Sequence, residues 1–267
     1  MANVIRSAKS GNRWTTNELE AYNIVIKEQN ENTFFEKPLP AYHGPADFLQ
    51  HEHTNVRLDV ASNSLLKRLD LAADVVEGEE SAVDDFVAEL LRTLGYERQY
   101  TVVRTRKNIR FLMCGEHVHA TTDVCLLDAE SLVLLLVQED KSHIDPMDPE
   151  SQLIAEVIAA FQENNRRRTR LFLEPLPVQI IPGITMVGTF PTFYKIAVTS
   201  ELDQSIRHGQ YPATQTVVYR HTPRVPRRRN EGMRPLPSRK LLVRCYEAFK
   251  RVVLPDGDEA NEDNQNV

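Results

Sequence analysis

Residues 120–141 read ATTDVCLLDAESLVLLLVQEDK, and this stretch decides the fold. Leu132 to Val137 are six consecutive apolar residues. A run that short, without alternation, predicts a strand buried on both faces, and therefore a central strand of a sheet covered by helices. Gln138, Glu139, Asp140 and Lys141 follow at once. Strand alternation puts Glu139 and Lys141 on one face at the end of this strand, a costly place for charges unless they serve each other or a ligand. Asp123 lies on the preceding strand-like segment, 120–127. If the two strands are neighbours, all three groups converge at one edge of the sheet.

Working outward, the clearest helix precedes this region. Residues 81–94 open on Ser81 as N-cap, stop at Gly95, and carry Val83, Phe86, Val87, Leu90, Leu91 and Leu94 at helical spacing. Strand-like segments follow at 100–103, 109–113 and 120–127, with turn-like breaks between them. After the apolar run, Asp148 as N-cap and Pro149 in the first turn open a second strong helix with Leu153, Ile154, Val157, Ile158 and Phe161 inward. Two strands are expected at 178–181 and 184–187 around a Pro182-Gly183 turn, and another at 192–198.

The expected fold class is therefore α/β, with a central mixed sheet flanked by helices. Residues 1–80 read as a helical extension packed on the core. Thr15 and Glu18 make a capping box for a helix over 17–28, and Leu65, Leu66 and Leu69 share one face of a helix over 62–73. The core spans 81–254 and closes on a C-terminal helix from Ser238. Residues 255–267, polar and acidic, read as a disordered tail.

Of the 267 residues, 41% are hydrophobic and 26% charged, which excludes a disordered or fibrous chain. Three cysteines without a CxxC pair argue against a disulfide framework or a zinc ribbon. No apolar run approaches the ~18–20 residues of a membrane span. These features point to an intracellular protein, nuclear or cytoplasmic, with no membrane partner. The formal net charge is −6, yet between Arg220 and Arg244 nine arginines and lysines face one acid, Glu231. This basic loop, 220–240, is the expected contact for nucleic acid, DNA or RNA.

Two carboxylates with an ammonium beside them suit Mg²⁺, with Mn²⁺ as a substitute, and the chemistry is phosphodiester hydrolysis. Asp123 and Glu139 are the expected metal ligands. Lys141 would orient or deprotonate a water or stabilise the phosphate charge. Asp84, on the first strong helix, would add a metal contact, and Gln152, in the first turn of the second, would orient Lys141 or a water.

Thr122-Asp123, then Glu139-Asp140-Lys141 after the apolar run, set between two such helices, resembles the PD-(D/E)xK nuclease superfamily. The stretch from Val83-Asp84 through Leu90-Leu91 to Leu94-Gly95-Tyr96 is similar to the opening helix of its Mrr-like restriction domains, which carry an acid at the position of Asp84. The resemblance covers about residues 81–200. It implies a restriction-endonuclease-like αβββαβ core and Mg²⁺-dependent cleavage of nucleic acid. Thr122 stands where the superfamily's name has proline, Asp84 where a glutamate is usual, and the RecB-type Gln-x-x-x-Tyr is missing because Gln152 is followed four residues later by Glu156. The whole chain also resembles uncharacterised proteins of mushroom-forming fungi, chiefly around 135–165 and 182–199, which implies no activity.

Plainer readings stand beside these. A chain of this composition is expected to hold about one acid-x-Lys triplet by chance, so the weight of Glu139-Asp140-Lys141 comes from its place after the apolar strand. Glu139 and Lys141 could be a solvated ion pair, Asp123 the start of a turn, Asp84 an ordinary first-turn acid, and Gln152 an ordinary first-turn polar residue. His117 and His119 share a strand face but lack the further acid of a binuclear site, since residue 121 is threonine. The rival to a nuclease is a catalytically inactive binding or scaffolding module on the same fold.

Overall fold

The apolar run lies in strand β4, Val133–Glu139, where Leu135, Leu136 and Val137 are buried from both sides. The computed structural model describes residues 6–41, 45, 47–52, 58–74, 81–139 and 148–254. Among them are seven strands in one mixed sheet: β1 Ile24–Glu28, β2 Thr101–Met113, β3 Glu116–Asp128, β4, β5 Val178–Val187, β6 Phe190–Thr199 and β7 Thr216–His221. Their order is β1-β7-β6-β5-β4-β3-β2. β2, β3 and β4 form an antiparallel meander, β5 runs parallel to β4, and β1 runs parallel to β7.

Helices cover both faces. On one side α3 (Val60–Ala73), α4 (Ser81–Thr93) and α7 (Leu236–Val253) enclose a core with Leu135 and Val137. On the other, α5 (Pro149–Arg170) and α6 (Ser200–His208) enclose a second core with Leu136, Ile181 and Ile196. α5 is the connection that makes β5 parallel to β4, and its residues from Ser151 to Asn164 are all buried. Two of its amides fix its register. Asn164 accepts the Val133 N–H at 2.8 Å and donates to the Val133 carbonyl at 3.0 Å, while Gln162 does the same with Leu112 at 2.8 and 3.0 Å. Asp148 caps α5 by accepting from Ser151, with Pro149 in the first turn.

The N-terminal extension departs from the helical expectation. Glu18 does close the capping box on Thr15, but α1 stops at Thr16–Ala21. Asn23 takes a positive φ of 53°, and Ile24, Val25 and Ile26 then form β1 beside β7, ahead of the short helix α2 (Glu31–Phe35). Two isoleucines and a valine in a row favour an extended backbone, and pairing with β7 outweighs the helix begun at the box.

Pro182-Gly183 is not a turn, because β5 passes straight through it. Gly183 is required there by packing: a Cβ at this position would stand 2.8 Å from Leu153 Cδ2, so its absence lets α5 lie against the sheet. Residues 101–103 and 109–113 likewise belong to one strand, β2, with Tyr100 in the turn before it. The break expected between them corresponds to Arg106, whose φ is 51°. Across it the buried side changes, since Val103 joins the α4 layer whereas Ile109, Phe111 and Met113 join the α5 layer. No helix among the described residues is long and apolar enough to cross a membrane.

Candidate metal centre

The β3–β4 ladder ends at Val124↔Val137, while β3 continues with β2 alone towards their hairpin. The sheet forks at this point, and side chains take over from the ladder. Asp123 Oδ2 accepts the Glu139 N–H at 2.9 Å and the Gln138 side-chain amide at 2.8 Å. Thr122 Oγ1 donates to the carbonyls of Val124 and Val137 at 3.0 and 3.3 Å. The flanking pairs Thr105↔Val124 and Lys107↔Thr122 put Arg106 across from Asp123, so the face change of the ribbon and the fork occur together.

Three elements deliver acids to the fork: Asp84 from the first turn of α4, Asp123 from β3, and Glu139 from the end of β4. One carboxylate oxygen of each lies within 4.8 Å of the others. Asp84 is 7% exposed and Glu139 5%, with Asp123 half-buried. At an effective dielectric of about 20, two charges at this separation repel by about 3–4 kcal/mol, so a cation is the natural complement of the cluster. The donor set fits one. Both Mg²⁺ and Ca²⁺ take carboxylate oxygens; opposite ligands stand about 5 Å apart on Ca²⁺, which the 4.8 Å limit meets, and about 4.2 Å apart on Mg²⁺, for which the oxygens must lie closer than that limit.

Gln152 lines a cavity of about 440 Å³ together with Ser10, Asn12, His119, Thr121, Asp123 and Gln138. Every lining side chain is polar. The Gln152 amide donates to Glu156 Oε1 at 3.2 Å rather than to a solvent-exposed partner. Glu156 is fully buried, and its carboxyl is held well above the usual range, first by burial and then by the charge of Asp123, against hydrogen bonds from Gln152 and Thr122. Both causes favour its protonated form. The sequence reading noticed Glu156 only as the residue standing where a tyrosine was sought.

Lys141, with Asp140, lies outside the described residues. His117 and His119 are exposed and do not join the acidic cluster, although His119 lines the cavity and its Nδ1 is 2.8 Å from Asn108 Oδ1.

The basic loop is only partly a loop. Arg220 is on β7 and pairs with Glu28 and Glu150, and Arg234 pairs with Asp74. Arg239 is fully buried in α7 and donates to the carbonyls of Phe48, His51, Met233 and Arg234. Arg244 donates to those of Leu39 and Pro40. Four of the nine basic residues thus tie β7, α7 and the segment before α7 to the N-terminal extension and to α5, through backbone carbonyls and acids; Arg224, Arg227, Arg228, Arg229 and Lys240 remain exposed. Comparison of the chain with protein-family models and with curated proteins gives no match.

Proposed function

We propose that this protein is a divalent-cation-dependent nuclease on a restriction-endonuclease-like core, with Asp84, Asp123 and Glu139 as the ligands of Mg²⁺ or Mn²⁺. The observation that carries the reading is the meeting of three carboxylates from three elements at the fork between β3 and β4. The order α4-β2-β3-β4-α5-β5, an antiparallel meander followed by a parallel strand, agrees with the αβββαβ core that the resemblance implies.

A divalent cation in such a site supplies charge neutralisation at a phosphodiester and activation of a water. The chain's own residues do the rest. Gln138 and the Glu139 N–H fix the Asp123 carboxylate, so its orientation costs little on binding. The polar cavity beside Asp123 receives the sugar-phosphate, with Gln152 on its wall. Lys141, two residues beyond Glu139, is the proposed cationic group that stabilises charge on the phosphate or holds the attacking water.

Cleavage of linear and circular DNA and of RNA, with Mg²⁺, Mn²⁺ or chelator, tests the reading. Metal-dependent products that vanish in both Asp123→Ala and Lys141→Ala are expected. Absence of cleavage on every substrate would leave the non-catalytic module as the better account.

A further inference from the structure

A second group of basic residues lies outside the 220–240 segment. β2 carries Arg104, Arg106, Lys107 and Arg110 and no acid, and it is an edge strand of the sheet. The last two turns of α5 add Arg166, Arg167, Arg168 and Arg170. The two groups are adjacent, since the Arg166 guanidinium donates to the Arg110 carbonyl at 3.4 Å and Gln162 holds Leu112. Glu163 pairs with both Arg166 and Arg167, while among the described residues Arg104, Arg106, Arg110 and Arg170 make no ion pair.

Ordinary causes cover only part of this. Basic residues in the last turn of a helix are favoured by its dipole, and a charge or two protects a strand edge from pairing with another chain. Neither explains why both groups meet at one edge of the sheet in a chain whose net charge is −6. The crowding has a cost: burial lowers the pKa of Lys107, and Arg167 and Arg104 push it the same way.

The geometry points to the β2 edge and the C-terminal end of α5 as one surface that binds the phosphate backbone of nucleic acid. Lys107 is buried, and the seven remaining cations are exposed or half-buried arginines, whose planar fork pairs with phosphate through two parallel hydrogen bonds. From Arg104 to Arg110 the strand extends about 20 Å, the rise of about six phosphates along one strand of a duplex. Arg106, inside this track and across from Asp123, sets it beside the acidic cluster. The inference takes its partner from the nuclease reading, but its test does not depend on cleavage.

Anisotropy of labelled DNA and RNA duplexes of the same sequence, in chelator and at several salt concentrations, reads the surface directly. The triple variant Arg104→Gln, Arg110→Gln, Arg170→Gln is compared with the loop variant Arg224→Gln, Arg227→Gln, Arg228→Gln, each checked for an unchanged unfolding midpoint. The expected result is tenfold or more weaker binding in the first, with a slope of log K against log salt reduced by about 2–3, and wild-type binding in the second. Loss in the loop variant alone, wild-type binding by the first variant, or equal affinity for polyglutamate of matched charge would each overturn it. Binding that fails while metal-dependent cleavage persists removes this surface only, and binding without cleavage removes only the nuclease reading. The DNA and RNA arms show which polymer the shared phosphate chemistry serves.

Discussion

The carboxylate of Asp123 accepts the backbone N–H of Glu139 at 2.9 Å, so one candidate ligand fixes the backbone that carries another. Asp123→Asn keeps an oxygen for that N–H and removes a charge from the cluster. It is expected to leave stability unchanged or raised, because it relieves repulsion among the carboxylates, whereas Asp123→Ala, which also orphans the N–H, lies about 1–3 kcal/mol below Asp123→Asn. Urea unfolding of the two variants separates the structural role of the carboxylate from its charge; equal losses would contradict this account of the fork.

Asn164 is expected to be worth more than a typical buried amide because it closes both backbone groups of Val133 at the start of β4. Removal of its side chain in Asn164→Ala leaves a buried donor and acceptor unsatisfied and should cost about 2–4 kcal/mol. Equilibrium unfolding measures it, and a loss below about 1 kcal/mol would show that α5 does not need this clamp.

The site was legible to the extent that it depends on local pattern. The apolar run fixed the place of β4 inside the sheet, Ser81 and Asp148 opened α4 and α5, and the alternation of a strand end brought Asp123 and Glu139 to one edge. What failed depends on partners distant in sequence. β1 exists because β7, about 190 residues later, offers a parallel edge. Pro182-Gly183 carries the local signature of a turn, yet pairing with β4 and β6 holds it extended, and Leu153 packs where a Cβ of residue 183 would stand. Arg239 falls in the stretch read as an exposed basic loop, whereas the carbonyls of Phe48, His51, Met233 and Arg234 hold it buried. Glu156 sits one helical turn beyond Gln152 with no local mark distinguishing it from a surface acid.

Gly183 tests that lesson. Gly183→Ala places a methyl 2.8 Å from Leu153 Cδ2 and 3.2 Å from Cγ, and it should destabilise by about 1–3 kcal/mol. In a double-mutant cycle Leu153→Ala should recover part of this loss, and strict additivity would contradict the contact.

The capping box at Thr15 carries a pH dependence. Burial raises the pKa of Glu18, but hydrogen bonds from Lys9 and Thr15 outweigh it and leave the value below the ordinary 4.5. A carboxylate depressed in the folded state contributes stability above its unfolded pKa, and that contribution is lost as pH falls through the folded value. The stability gap between wild type and Glu18→Gln should thus be larger at pH 7 than at pH 3; a gap that grows on acidification would reverse the assigned sign.

Calorimetric titration of the protein with Mg²⁺ and with Mn²⁺, alongside Asp84→Asn, Asp123→Asn and Glu139→Gln, addresses the central claim most directly. The account predicts binding of a cation by the wild type that each substitution weakens by tenfold or more while folding is preserved. No binding by the folded wild type, or binding that all three variants retain, would contradict it.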